Sequence, residues 1–575
     1  MPEKLLSAPK VASLLGIELD TLYRYARKGT VRGFKVGKLW RFAESDVEAF
    51  INAKRFGGAG VARDAASSVT LLPELLSHAA GLRGPRPGVI GVAESVTYEE
   101  LDQLSDRMAR ALIDRGLGPG DRVLLVLPNC LEFVVSCFAV WKARGVLIAD
   151  STAIRTDGLL HVLSDARPKA MILDRGVAER LEGAWASQES LQLVLVKDGA
   201  FTLTGREDVD VESLDAVLEA DDTGGPRLDW ARGKPDDVVS ITYTSGSTGL
   251  PKGVMHTHES WLAGARFTME HALIDASDSI LIPLPLYHGL AFRQLLAYPL
   301  AGAAVLIAAD IYMALKWLPQ HTPTSMVLVP AACNIILDHF PASLQQAAAH
   351  LRYLEIGSAA MSSERLERVR QLMPATVVHL PYGLTEARVG FLERGEGGKL
   401  NQFAAVSPGL EVRVADAERS ELPLGQSGEI VLKGAGLMKG YWGHNGDSQQ
   451  RLREHGFRTG DMGRVNSRGR IELLGRLDDV LKIGGKKVIP QEVEQVINRH
   501  PGVAECGVVG KADPSGVFET RLEAHVVLWS GASAGADELT EYCRRRLEPH
   551  KLPAEFFFRR SLPKSSVGKI LRSAL

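Results

Sequence analysis

Residues 239–254 read VSITYTSGSTGLPKGV. An apolar, β-branched run ends near Thr242 and passes into a loop that starts at Thr244. The loop holds three glycines (Gly246, Gly249, Gly253), three hydroxyls (Ser245, Ser247, Thr248) and one cation, Lys252. Glycines let successive backbone N–H groups converge on an anion, and the hydroxyls and the lysine add donors and charge. Such a loop is built to hold a polyphosphate. It is not a Walker A loop, because GxxxxGK[ST] is absent.

Outward from this loop the chain alternates. Short apolar runs at 123–127 (VLLVL), 146–149 (VLIA), 170–174 (AMILD), 193–196 (LVLV), 280–284 (ILIPL), 304–308 (AVLIA), 326–330 (MVLVP) and 377–383 (VVHLPYG) are separated by helical stretches. Runs this uniformly apolar suit parallel strands covered on both faces, so the body is α/β with layered sheets and crossover helices. From about Ile471 the texture changes to short charged segments at 491–498, 522–528 and 555–560, predicting a separate small α+β lid. The 575 residues are too many for one compact domain, and 45% hydrophobic with 24% charged residues excludes wholesale disorder and a fibrous repeat.

Five cysteines (Cys130, Cys137, Cys333, Cys506, Cys543) are dispersed with no CxxC, which argues against a disulfide framework or a zinc site. The start, MPEKLLSAPK, has no apolar core of a signal peptide. The longest apolar stretch, Val123–Trp141, is broken by Pro128, Asn129 and Glu132 and reads as a strand and a helix, with no membrane span. The expectation is a cytoplasmic protein.

The net charge of −2 hides an asymmetry: residues 1–55 hold 11 Lys or Arg against 6 Asp or Glu, so the remaining 520 carry −7. Ser7 and Pro9 open a helix with Val11, Leu14 and Leu15 on one face, and Gly16 ends it. A second, basic helix begins near Asp20. VRGFKVGKLWRF (31–42) then alternates around Val36-Gly37-Lys38 like a hairpin, and a last helix runs from about Glu44 to Ala53. LLSAPKVASLLGIELDTLYRYARKGTV with FKVGKLWRF resembles the excisionase/MerR-type winged helix-turn-helix family. The resemblance implies a DNA partner for residues 1–55, with Thr21, Tyr23 and Arg24 on the recognition helix and Lys35, Lys38 and Arg41 on the wing. A domain kept for protein contacts is the alternative. So small a unit makes few phosphate contacts, so useful DNA affinity calls for a homodimer or cooperative copies. Residues 56–69, with FGGAG and AASS, read as a flexible linker.

YTSGSTGLPKGV (243–254) is similar to the phosphate loop of the adenylate-forming superfamily of acyl-CoA synthetases, adenylation domains and luciferases. Further motifs stand in the family's order: PLYH (285–288), YGLTEA (382–387), GEIVLKGAGLMKGYW (428–442), FRTGD (457–461), GRLDDVLKIGGKKVIPQEVE (475–494) and LPKSSVGKILR (562–572). The resemblance implies a multi-domain chain. A small α+β winged helix-turn-helix (1–55) and linker (56–69) precede a large α/β layered-sheet adenylate-forming core (70–477) and a small mobile α+β C-terminal lid (478–575). It also implies ATP, Mg2+ and CoA as reactants and cofactor, and the roles that follow. Thr244, Ser245, Gly246, Ser247, Thr248, Gly249 and Lys252 would hold ATP phosphates, Tyr382 would stack on adenine, and Gly357, Ser358, Ala359 and Ala360 would line the other side of the base. Gly383 and Thr385 belong to the same ATP site, and Glu386 resembles the magnesium ligand. Asp461 would accept from the ribose hydroxyls, Arg476 would reach ribose and phosphate, and Lys569 would bridge the acid carboxylate and the α-phosphate. Thr244, Glu386 and Lys569 form the catalytic set. Asp478 is the hinge on which the lid swings, and Gly484-Gly485 lines the thiol path in its second orientation.

For the acid, the resemblance places His288 where amino-acid-activating members carry Asp, which disfavours an α-amino acid. Tyr287, His288, Phe292 and Gly357 would line an apolar pocket suited to a fatty or aryl acid, as in fatty acid metabolism. Arg293 and Arg388 either meet a second polar group on the acid or lie on the surface. Residues 401–409 (NQFAAVSPG) depart from the family's glycine-rich pattern. Three readings stay open: a carboxylate–CoA ligase with an appended DNA-binding domain, a DNA-binding regulator using the ligase body as an acyl or nucleotide sensor, and an adenylating enzyme loading carrier-protein phosphopantetheine.

Overall fold

Two sheets with helices packed between them make up the body of the protein in a computed structural model. The structure describes residues 5–8, 11, 34–36, 39–43, 66–185, 188–199, 201, 206–220, 228–244, 251–358, 361, 363–394, 400–443, 452, 456–467, 470–477, 479, 481–483, 486–512, 520–529, 531–564 and 570–575.

The first sheet runs, edge to edge, through Asp210–Ser213, Leu193–Lys197, Ala170–Asp174, Arg122–Val126, Val146–Ala149 and Val238–Thr244, all parallel. It then closes with two antiparallel strands, Lys252–Thr257 and Gly440–Tyr441. The run that opens at Val238 therefore continues to Thr244, beyond the expected end at Thr242, and the glycine-rich loop joins two paired strands. Pairing extends to Thr244↔Lys252, so the ends of the loop are held together. Gly253 is fixed by this closeness: a Cβ there would lie 2.6 Å from Ile241 Cγ2.

The second sheet has 13 strands and changes character part-way. Val89–Ile90, Ala304–Ile307, Ser279–Ile282, Ser325–Leu328, Tyr353–Ile356 and Val377–Leu384 are parallel neighbours. Beyond them lie Ala387–Arg394, Leu400–Val406, Ile471–Arg476, Phe457–Val465, Ser427–Gly434 and Leu410–Ala415, all antiparallel. Val377–Leu384 serves both halves. Val377–His379 pair in parallel on one edge, and Leu380–Leu384 pair antiparallel on the other. Ile471–Arg476 belongs to this sheet, so the change of texture at Ile471 marks its last strand and the lid follows it.

Helices Glu74–Arg83, Tyr98–Asp114, Leu131–Lys142, His258–Ala272 and Gly289–Leu300 contribute to the largest apolar core. Every residue of Leu131–Lys142 except Glu132 is buried. A helix that is apolar all round needs partners on all sides, and Trp141 shows them: its ring lies edge-on to Phe138 and Phe292, and its indole N–H donates to the Val239 carbonyl at 3.1 Å. Lys142 is the one cation in that helix. Its buried ammonium donates to Asp102 Oδ1 at 2.5 Å, to the Asp102 carbonyl at 2.8 Å and to Asp106. Ala66 and Val69, read with the linker in the sequence, are buried on this core. Arg266 Nε donates to the Ala66 carbonyl at 3.2 Å and a second Arg266 nitrogen to that of Val69.

The lid holds Pro490–Ile497, the antiparallel pair Val503–Ala512 and Thr520–Leu528, the parallel neighbour Glu555–Phe558, and Ala536–Arg544 around their own core. Near its end Lys564 bridges Ile570, and Arg572 is pinned by Glu494 at 2.8 Å and Asp479 at 2.7 Å. At the other terminus, Leu5–Ser7, Leu39–Ala43 and Phe34–Val36 form a three-stranded antiparallel sheet. Val36 pairs with Leu39, which is the expected hairpin, and Phe42 is fully buried. The helices expected around Asp20 and Glu44 lie outside the described residues. No helix among the described residues is long and apolar enough to cross a membrane.

Lys142→Ala opens a cavity and takes the cation from Asp102 and Asp106, whose side chains are 29% and 32% exposed and rehydrate in part, so a cost of about 1–3 kcal/mol is expected. A lowered thermal midpoint is expected in calorimetry of the whole chain, with Lys142→Met intermediate; an unchanged midpoint for the alanine variant would contradict the role given to this ammonium.

Candidate active site

The parallel-to-antiparallel strand Val377–Leu384 carries Tyr382 into the heart of the second sheet, and packing around it is close. A Cβ on Gly357 would lie 2.4 Å from Pro381 Cγ, so only glycine permits the two strands' ends to meet there. The next residue, Ser358, has φ +73°, a left-handed conformation that costs a non-glycine residue energy and is often kept at binding loops.

Asp461 is buried opposite Arg476 in the register of Phe457–Val465 and Ile471–Arg476. Arg476 Nη1 donates to Asp461 Oδ1 at 2.9 Å and to the Thr459 carbonyl at 3.1 Å. The Tyr382 hydroxyl donates to Asp461 Oδ2. Burial, then the Asp461 charge, holds the Tyr382 phenol well above its usual pKa, so it stays a donor. Gly460, at φ +74°, allows this arrangement, because a Cβ there would lie 2.8 Å from Arg476 Nη2. A carboxylate with donors on both oxygens is preorganised to exchange one of them for a hydroxyl of a ligand.

A second group forms where the two sheets meet. Tyr441 donates its hydroxyl to Glu386 Oε1 at 2.7 Å, and Lys252 Nζ lies 5.8 Å from the Tyr441 ring centroid. The Met438 N–H donates to the Glu386 carbonyl at 2.8 Å, and Ala387 bridges Leu437. These contacts bring the turn at Thr385-Glu386 beside the closed ends of the glycine-rich loop. His256 ties it further: its Nε2 meets the Thr385 carbonyl at 2.8 Å, and because a carbonyl only accepts, that nitrogen carries the proton. Glu386 is a single carboxylate, and no cluster of three metal-binding side chains occurs among the described residues. One carboxylate beside a polyphosphate fits magnesium, which takes few protein ligands and keeps phosphate and water.

Around the expected acid pocket, the Tyr287 and His288 rings lie 4.4 Å apart, tilted by 34°, and burial lowers the His288 pKa. Phe292 lies between Trp141 and Trp261, at 5.9 and 4.9 Å, as part of the main core. Arg293 and Arg388 are buried, which excludes the surface alternative. Thr244 ends its strand with its hydroxyl 3.5 Å from the Lys252 carbonyl, and Gly383 closes on the Ala387 carbonyl, 2.9 Å from where a Cβ would stand. Ser245, Gly246, Ser247, Thr248, Gly249, Ala359, Ala360, Asp478, Gly484, Gly485 and Lys569 lie outside the described residues, as do Thr21, Tyr23, Arg24 and Lys38. Lys35 and Arg41 sit on adjacent wing strands, opposite Trp40 and Phe34 respectively. Sequence reading missed Tyr441, Thr459 and His256. Tyr441 stands inside a quoted motif (GYW), and only its pairing with the strand that carries Lys252 reveals its partner.

Residues 76–442 match the family described as AMP-binding enzyme, and residues 492–569 its C-terminal domain. The chain belongs to the AMP-binding enzyme family. Residues 5–55 match a helix-turn-helix domain. Among curated relatives, a long-chain-fatty-acid–CoA ligase of Salmonella typhimurium is 28% identical over 92% of this chain and 96% of the relative. A feruloyl-CoA synthase of an Amycolatopsis species is 30% identical over 83% of this chain and 93% of its own length. Among solved structures, ATP-bound MatB from Rhodopseudomonas palustris superposes with a TM-score of 0.76 at 26% identity, over 87% of this chain and 97% of that one.

Burial is the leading cause that lowers the pKa of both His256 and His258 from 6.5 to about 4, and His258 Nδ1 accepts the Leu72 N–H at 3.0 Å, which requires a neutral ring. Between pH 6.5 and about 4 the unfolded chain therefore binds protons that the folded chain does not, so stability falls as pH falls through that window. The melting midpoint of the wild type should drop across it, and His256→Gln should drop less steeply; parallel pH profiles would contradict the buried neutral assignment.

Proposed function

We propose that the protein is an ATP-dependent carboxylic acid–CoA ligase that works through an acyl-adenylate, with an appended DNA-binding module. The observation that carries the reading is the buried Asp461 carboxylate with Tyr382 and Arg476 on its two oxygens. It is supported by the neighbouring Glu386, Tyr441 and Lys252 at the base of a glycine-rich loop. In the first half-reaction an acid carboxylate oxygen attacks the α-phosphorus of ATP, and pyrophosphate leaves with its bonding electrons. In the second, a CoA thiolate attacks the acyl carbon and AMP leaves.

Each residue has a task in that scheme. Ribose hydroxyls replace a donor on Asp461, while Arg476 stays near enough to reach the phosphate. Tyr382 offers the face of its ring to adenine, with Gly357 and Ser358 behind the base. Residues 244–249 and Lys252 cradle the phosphates. Magnesium on Glu386 would neutralise triphosphate charge. Lys569 enters between two anions that must approach one another, which lowers their repulsion in the transition state. Its segment is anchored at both ends, by the Lys564–Ile570 bridge and by Arg572 on Asp479, next to the hinge position 478. Movement of the lid about that position would withdraw Lys569 and bring Gly484-Gly485 to the thiol path. Domain limits at 55, 69 and 477 follow from this division of labour, and residues 1–55 would bring the enzyme to DNA.

The test gives purified protein ATP, magnesium, CoA and a panel of fatty, aryl and dicarboxylic acids. Acyl-CoA is followed by mass spectrometry and pyrophosphate in parallel. A thioester with one acid class is expected, and Lys569→Ala should slow adenylation by about 10²–10³. Pyrophosphate without thioester would favour a carrier-protein acceptor. Silence in both channels would favour the sensor reading.

A further inference from the structure

Five side chains from four elements converge beside the proposed acid pocket. Arg293 and Gln294 come from Gly289–Leu300, the helix that follows His288. Glu355 precedes Gly357 by two residues on Tyr353–Ile356, and Arg388 follows Glu386 by two on Ala387–Arg394. The helix His258–Ala272 supplies Thr268 and a gap at Gly264. All three ionisable side chains are at least nine-tenths buried, at 8% exposure for Arg293 and Arg388 and 10% for Glu355.

The bonding within this group is unequal. Arg293 Nη2 donates to Glu355 Oε1 at 2.7 Å and its Nε to the Thr268 hydroxyl at 3.1 Å, while Gln294 Nε2 donates to Glu355 Oε2 at 2.9 Å. Both oxygens of the only carboxylate are taken. Arg388 Nη2 stands 3.8 Å from Glu355 Oε1, beyond a hydrogen bond, and its buried Nε and Nη2 have no partner. Two guanidinium groups thus share one carboxylate, and Arg388 lies over the Phe391 ring at 4.5 Å, where its donors find no acceptor. His379 in the same surroundings is kept neutral, first by burial. Burial and then the charge of Arg293 push the Arg388 guanidinium well below its usual pKa, as expected for a cation short of a counter-charge.

The placement is built into the backbone. Arg388 runs between two glycines: a Cβ on Gly264 would stand 3.4 Å from its Cβ, and one on Gly383 would stand 3.8 Å from its Cδ. A buried guanidinium whose nearest carboxylate lies beyond hydrogen-bond reach and is already bonded to Arg293 and Gln294 is costly, and a chain that only needed to fill this space could do so with an apolar side chain. The planar fork of an arginine with open donors matches a carboxylate.

We infer that Arg388 is the specificity residue for an acid carrying a second carboxylate, which docks on the open donors of its guanidinium while the first carboxylate is activated. This rests on the ligase reading for the reaction, but the binding itself can be tested without turnover. Arg293 and Gln294 hold Glu355, so that Glu355 does not satisfy Arg388 in place of the ligand.

The experiment compares aliphatic and aromatic dicarboxylic acids with their monomethyl esters. Binding to the full-length protein is measured by calorimetry with α,β-methylene-ATP present, and turnover separately with ATP. For at least one diacid, binding tighter than its monoester by roughly 10- to 100-fold is expected, the span of a charge-assisted hydrogen-bond pair. Arg388→Gln and Arg388→Leu should abolish that difference, and the ligand-free melting midpoint of Arg388→Leu should hold or rise because a lone buried charge is removed. Monoesters binding as well as diacids throughout, or a preference unchanged in both variants, would overturn the inference. So would a lowered midpoint with the preference intact, which would mark Arg388 as structural. Diacid binding that depends on Arg388 without any turnover would uphold the inference and sink the ligase reading instead.

Discussion

The buried carboxylate of Asp461 accepts the Tyr382 hydroxyl on one oxygen and Arg476 on the other, and those donors stand on strands that are not neighbours in the large sheet. Tyr382 belongs to the strand where parallel pairing gives way to antiparallel pairing, and Arg476 ends the last strand before the lid. One side chain thereby fixes the relative position of the nucleotide face and the lid's point of departure. Removing it would leave a guanidinium and a buried phenol without their acceptor, so the site cannot be varied there without disturbing the sheet. The same economy recurs at Gly357 and Gly460, where the absence of a Cβ lets Pro381 and Arg476 approach.

The helix His258–Ala272 has a comparable linking role. His258 and Arg266 receive the segment that arrives from the N-terminal module, through the Leu72 N–H and the Ala66 and Val69 carbonyls. Its Gly264 and Thr268 border the Arg293–Glu355–Arg388 group, and His256, just ahead of it, holds the Thr385 carbonyl beside Glu386. This helix and the strand residue just ahead of it thus touch the segment Ala66–Leu72, the turn that carries Glu386 and the arginine pair. Because its neighbours are close-packed, a shift at one of these contacts is felt at the others.

Much of this was legible in the sequence because local rules and tertiary need agree. Uniformly apolar runs such as MILD and LVLV became parallel strands covered on both faces, and Phe34–Val36 pairs antiparallel with Leu39–Ala43 as the hairpin pattern required. The glycine-rich loop and the ordered motifs pointed to the AMP-binding enzyme family before any contact was known. What escaped was long-range pairing. Nothing local to Thr242 says that the strand continues to Thr244 to meet Lys252, or that Val377–Leu384 changes partners in mid-strand. Ile471–Arg476 falls where the texture turns to short charged segments, yet its partners lie in the core sheet. The Arg388 environment was equally hidden, since a polar group on the acid and the surface stood as open alternatives for two arginines 95 positions apart until Glu355 brings them together in the interior.

In the proposed reaction, acid and ATP meet in the site built on Asp461 and give an adenylate. Acid-dependent exchange of labelled pyrophosphate into ATP, measured without CoA, tests it most directly. The account predicts exchange that requires both the acid and magnesium and that falls sharply in Asp461→Ala. Formation of ADP and phosphate from ATP, or acyl-CoA synthesis with no exchange for any acid, would contradict it.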